Sequence, residues 1–176
     1  MSNYQQQKTN KPKAEDLINL YLSGELRDAA LGLFSFFKEN KMTLQWGSTN
    51  SFNVNYKGKR ITRFTINRDS LGLYIYTAER DKFDGYLQDQ PEDIKILFME
   101  NISKKCTGCT GCAPGKSFYI NGKLYENICF SGCGTCGFKY QNPSAKQMLE
   151  VKKLLLARKD YVVKMLSMGQ NPGTAR

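Results

Sequence analysis

The sequence predicts an α+β fold: an antiparallel β-meander packed against helices, with a Cys-rich lobe before a C-terminal helix. Three observations carry this expectation. Apolar residues before position 40 recur with a helical period, those between 43 and 77 alternate with a period of two, and those after 143 return to helical spacing.

Residues 1–13 are polar and lysine-bearing, and their composition predicts a disordered basic tail ahead of a single domain over residues 14–176. A first helix is expected over 14–22, broken at Ser23 and Gly24. A second spans 25–40, where Leu26, Ala30, Leu33 and Phe37 share one face that Phe34 and Phe36 widen. Residues 43–46 form a short strand. In 51–57, Phe52, Val54 and Tyr56 alternate with Asn53, Asn55 and Lys57. Gly58 turns the chain into a β-branched strand over 60–67, and residues 68–70 turn it again into a strand over 71–77. Residues 81–90 read as a loop, and Pro91 opens a helix to about residue 101, buried through Ile94, Leu97 and Phe98. Asn121 and Gly122 form the preferred type I′ pair between short strands over 117–120 and 123–127. Asn142 is expected as the N-cap of the last helix and Pro143 as its first residue. Met148, Val151, Leu155, Val162 and Leu166 form its apolar stripe.

The formal net charge of +10 is unevenly spread. Residues 41–68 hold Lys41, Lys57, Lys59, Arg60, Arg63 and Arg68 with no acid, residues 69–101 are net acidic, and the segment from 139 onward is basic again. This balance suits an anionic partner, nucleic acid first. No stretch approaches the roughly 20 apolar residues of a membrane span. The first residues contain no apolar signal core, so the expectation is a cytoplasmic protein in a reducing compartment, with no membrane partner.

All six cysteines fall within residues 106–136, as the triplets Cys106, Cys109, Cys112 and Cys129, Cys133, Cys136. Thiols two residues apart aim at one point across a tight turn, and the adjacent glycines relieve that turn. In a reducing compartment such pairs hold a soft metal ion more readily than they form bridges. Residues 104–138 are therefore expected to be a metal-binding lobe. Twenty residues, containing the hairpin, separate Cys112 from Cys133. This arrangement resembles a zinc ribbon over residues 106–137, with knuckles at the ends of a β-hairpin sharing one Zn²⁺. The resemblance implies a fold rather than an activity.

Six thiols exceed one tetrahedral site, so either Cys106 and Cys129 are spare or a different four bind the ion. The first triplet also resembles the opening ligands of a bacterial ferredoxin run. However, Ala113, Pro114, Gly115 and Lys116 stand where its fourth cysteine and proline would follow. An iron–sulfur cluster is the alternative cofactor. Gly132, Gly134 and Gly137 spell a dinucleotide fingerprint without its βαβ context and read as knuckle turns. Gly115, Lys116 and Ser117 lack the first glycine and the helix of a phosphate loop.

The chain contains no histidine, which removes the usual general base and the Ser–His and Cys–His nucleophile systems. Asp81 with Asp84, and Glu92 with Asp93, read as a loop and a helix first turn. The binding reading is therefore preferred to an enzymatic one. On the sheet, Lys57, Lys59, Arg60 and Arg63 lie near Tyr74 and Tyr76. Cations beside aromatics on an exposed sheet hold phosphates while bases stack. The competing reading puts both tyrosines in a second core layer under the C-terminal helix, with the cations merely solvated. Trp46 reads as core.

The pattern Trp46, Ser48, Asn50, Ser51, Val54, Tyr56, Lys57, Gly58, Lys59, followed by a tyrosine-rich strand, the cysteine lobe and Asn142-Pro143, resembles small uncharacterised bacterial proteins. That resemblance implies architecture only. The expected function is a zinc-stabilised binding protein that engages nucleic acid or another polyanion through its basic surface. The alternatives are a redox or sensor protein and a small-ligand-binding regulatory domain.

Overall fold

The computed structural model describes residues 3–79, 83–101, 116–120, 123–128 and 135–169. The chain divides into two compact units, Met1–Ile75 with Lys139–Arg176, and Tyr76–Phe138.

The first unit contains the helices α1 (Asn3–Asn10), α2 (Ala14–Tyr21), α3 (Gly24–Glu39) and α6 (Ala145–Ser167). They accompany the strands β1 (Thr43–Ser48), β2 (Ser51–Tyr56) and β3 (Lys59–Asn67), with the adjoining parts of β4 (Ser70–Glu79) and β7 (Thr135–Gln141). The sheet order is β1-β2-β3-β4-β7, and β1 to β4 form an antiparallel meander. The start of β4 meets the end of β7: Asn142 N–H donates to the Leu71 carbonyl at 2.8 Å, which makes that pair antiparallel too. Residues with positive φ shape the connections. Lys57 and Gly58 have φ of 47° and 76°, the signature of a type I′ hairpin, and Gly24 at 54° turns the chain between α2 and α3.

Alternation then sorts the sheet into two faces. Phe52, Phe64 and Leu73 stand opposite one another across β2, β3 and β4, as do Val54, Thr62 and Ile75, and all six are buried. Phe64 stacks on Phe37 of α3 at 6.1 Å and on Phe52 at 5.4 Å. Helices α2 and α6 pack on β3 and against α3, so the three form one layer on this face. From α6 the buried side chains are Met148, Val151, Leu154, Leu155, Arg158, Val162 and Met165.

In the second unit, α4 (Phe83–Gln88) and α5 (Glu92–Asn101) bury Tyr86, Leu87, Ile94 and Leu97. The hairpin of β5 (Lys116–Ile120) and β6 (Lys123–Ile128) sets Tyr119 directly opposite Leu124. Both are exposed.

Four elements differ from the sequence expectation. Composition predicts disorder over 1–13, yet α1 forms within it. Its Gln7 side chain is buried and bonds both the side chain and the backbone N–H of Asn50 in the β1–β2 turn. Residues 83–88, expected as loop, are the short helix α4. Strand β7 follows a period-two pattern, with Phe138 and Tyr140 buried, that the cysteine spacing concealed. The last helix starts later than Asn142-Pro143 implies. Ser144 is its N-cap, in a capping box with Gln147, and Leu166 is only half-buried.

Asn142 takes a different role. At φ 45° its side chain accepts from Leu71 N–H at 2.7 Å and donates to the Asp69 carbonyl at 3.3 Å. Asn142→Ala is expected to destabilise the protein by about 1–3 kcal/mol in urea unfolding, by removing these bonds and straining the positive φ. Asn142→Gly, which relieves the strain, loses less.

Candidate nucleic-acid interface

The face of β1–β4 opposite the helices is built from the alternate residues of each strand. One row runs Gln45, Asn53, Arg63, Tyr74 across the four strands, and a second pairs Thr43, Asn55 and Arg60. Further along, Thr65 lies opposite Gly72, whose own added Cβ would meet the Thr65 hydroxyl at 2.7 Å and Gln141 at 3.3 Å. Gln141 therefore belongs to this face, and alternation puts the exposed Lys139 there too. Strands β1, β2 and β3, β4 through Ile75, and β7 from Lys139 carry no Asp or Glu at all. The surface is amide-rich and cationic.

A bulge decides where the cations point. Val54 pairs with Thr62 but Asn55 pairs with Arg60, leaving Ile61 as the extra residue of β3. Three positions apart, Arg60 and Arg63 would lie on opposite faces of a regular strand. The bulge brings both to the outward face. Alternation beyond the bulge then turns Arg60's neighbour Lys59, which pairs with Tyr56, to the helix side. The Arg60 carbonyl at the bulge accepts from Nε of the buried Arg158 on α6 at 3.3 Å.

Arg63 is held in place. Its Nε donates to the Ser51 hydroxyl at 2.7 Å and one terminal nitrogen donates to the Ser48 hydroxyl at 3.2 Å. These bonds use two of five guanidinium donors and fix the group toward Ser51 and Ser48, while Asn53 is the cross-strand neighbour of Arg63. Tyr74 stands opposite Arg63, half-buried, on this face and not under α6. Tyr76 is the first residue of the second unit and is half-buried. Lys57 projects from the turn, its ammonium 5.7 Å from the Tyr56 ring centroid. Trp46, expected as core, is half-buried on the edge strand.

The fold divides the residues expected to act together. Arg60, Arg63 and Tyr74 share the outward face; Lys57 lies at its end, and Lys59 lies on the helix side. Gln45 of β1 joins this face through its pairing with Asn53, and Lys139 and Gln141 join it without any local signal, because nothing in the sequence pattern reveals that β7 lies next to β4.

Of the six cysteines, Cys136 lies within β7, and Cys106, Cys109, Cys112, Cys129 and Cys133 fall outside the described residues. The Asn121-Gly122 turn lies outside them too. Among the described residues, no three His, Cys, Asp or Glu side chains converge on a point that could hold a metal ion. No helix among them is long and apolar enough to cross a membrane.

Ser51→Ala tests the anchoring of Arg63. Loss of its hydroxyl is expected to speed solvent exchange of the Arg63 Nε–H in NMR spectra and to lower stability by about 1 kcal/mol. An unchanged exchange rate would mean that Ser51 does not hold the guanidinium. Comparison of the chain with family models, curated proteins and solved structures finds no match.

Proposed function

We propose that this is a non-enzymatic nucleic-acid-binding protein that lays a single strand across the outward face of its sheet. The observation that carries the reading is the row Asn53, Arg63, Tyr74, with Arg60 turned to the same side by the β3 bulge. Guanidinium groups bind backbone phosphates, a tyrosine ring offers a stacking surface, and side-chain amides bond base edges. The absence of carboxylates from β1 to β3, from β4 through Ile75 and from β7 beyond Lys139 matters as much as the cations, since a like-charged acid would repel the phosphate backbone. Affinity for such a partner is electrostatic in large part and falls with salt.

The second element of the proposal is zinc. The donor set of six thiols and no imidazole suits a soft ion, and the two triplets flank a hairpin whose Tyr119 and Leu124 are 71% and 42% exposed. A two-stranded hairpin is marginal by itself, and a metal anchor beside it would add order that the exposed Tyr119 and Leu124 do not supply. Cys109, Cys112, Cys133 and Cys136 are the four that would hold the ion in a ribbon arrangement. The ion would act structurally.

Anisotropy titrations with a labelled oligo-dT are expected to show binding that weakens as salt rises. Arg63→Gln and Arg60→Gln should each reduce the slope of log K against log salt by roughly 0.7, the single-strand value per phosphate contact. Tyr74→Ala should cost roughly 1–3 kcal/mol with little change in slope, and Tyr74→Phe should restore the affinity. Binding that ignores salt, or survives the double arginine change, would remove the sheet face from consideration. Elemental analysis of protein purified without oxygen should give zinc and a colourless sample, with the zinc lost in Cys109→Ser. Iron with labile sulfide would replace this part of the reading with redox chemistry.

A further inference from the structure

At the turn end of the β2–β3 hairpin, two ammonium groups lie near one aromatic ring. Lys57 Nζ lies 5.7 Å from the Tyr56 centroid, and Lys159 Nζ of α6 lies 5.2 Å from it. The two nitrogens are thus no more than about 11 Å apart. Lys159 also donates to the Asn40 side chain at 3.2 Å, which ties it to the end of α3. Lys59 pairs with Tyr56 across the hairpin and brings a third cation to this end.

None of these positions is adjacent in sequence to the α6 lysine, and all of them belong to the first unit. The type I′ turn sets the direction of Lys57, and the docking of α6 sets that of Lys159. Among the described residues, neither lysine has a carboxylate within ion-pair distance. The nearest acids in sequence, Asp69 to Lys57 and Asp160 to Lys159, make no such contact. Two like charges share a single ring quadrupole, and that attraction is small at an exposed site. An anion bound beside the ring, within reach of both flexible side chains, would relieve their repulsion and gain charge-assisted hydrogen bonds.

We propose that Lys57, Lys159 and Tyr56 form a phosphate-binding site at the helix-side end of the β2–β3 hairpin. Its ligand is a phosphate group, carried either on a nucleic-acid backbone or on a small phosphorylated molecule. The tyrosine ring spaces the two ammoniums, and its hydroxyl can donate to a phosphate oxygen.

The test is a titration with inorganic phosphate at constant ionic strength, followed by backbone NMR shifts at residues 56–59 and 159. Saturable shifts confined to those residues are expected. Lys57→Gln combined with Lys159→Gln should weaken the binding by about tenfold or more, through loss of two charge-assisted contacts. Arg60→Gln combined with Arg63→Gln should leave it intact. Oligo-dT that displaces the phosphate would identify backbone phosphates as the source; oligo-dT that leaves it bound would point to a small phosphorylated ligand. Both results sustain the site. No saturable shift at these residues, or undiminished affinity in the lysine double variant with its fold preserved, would overturn it.

Discussion

One-sided burial of β3 is the constraint on which the first unit depends. Phe64 is stacked between Phe37 of α3 and Phe52 of β2, and the helix layer covers the sheet on that side. Burying a phenylalanine of this kind stabilises by about 1.5–3 kcal/mol, so the register of β2, β3 and β4 is strongly preferred. A slip by one residue would turn Phe64 outward and bring Arg63 into the core. The same alternation that hides the phenylalanines therefore presents Arg63, Asn53 and Tyr74 together. Packing and presentation of the polar face have one cause.

The bulge at Ile61 modifies that rule at one point, with consequences on both faces. It keeps Ile61 fully buried while reversing the phase of the strand beyond it. Arg60 joins Arg63 outside, and Lys59 joins Tyr56 on the helix side. Arg158 from α6 donates to the bulged Arg60 backbone and lies 5.2 Å from the Tyr161 ring, so the helix that closes the core also braces the irregularity. Hydrogen bonding of a displaced carbonyl by a buried cation is a reasonable use for an arginine otherwise costly to bury.

The two cationic surfaces differ in construction. On the sheet, a planar guanidinium is locked by two serine hydroxyls beside amides and a ring, an arrangement suited to an extended polymer with repeated phosphates and bases. At the hairpin end, compact ammoniums on flexible stems surround one ring, an arrangement suited to a single phosphate. A bound strand leaving the sheet beyond Arg60 would pass the turn that carries Lys57.

Much of the architecture is legible in the chain itself. The helical stripe over α3, the alternation through β2 and β4, and the glycine turn at 58 are local patterns, and each element formed where its periodicity put it. The absence of acids from 41–68 is likewise visible without a structure. The edges were not legible for equally local reasons. Asn142 looks like a helix cap until a strand 71 residues away uses its side chain, and β7 reads as a cysteine knuckle until β4 offers it a partner. Which cations share a face was decided by tertiary structure alone, because a bulge is a property of two strands in register and no single strand encodes its own phase. Lys159 reaches Tyr56 only because α6 docks on β3, a long-range consequence of burying Val151, Leu154 and Leu155. Periodicity determines what an element is, and burial against distant partners determines which of its residues meet.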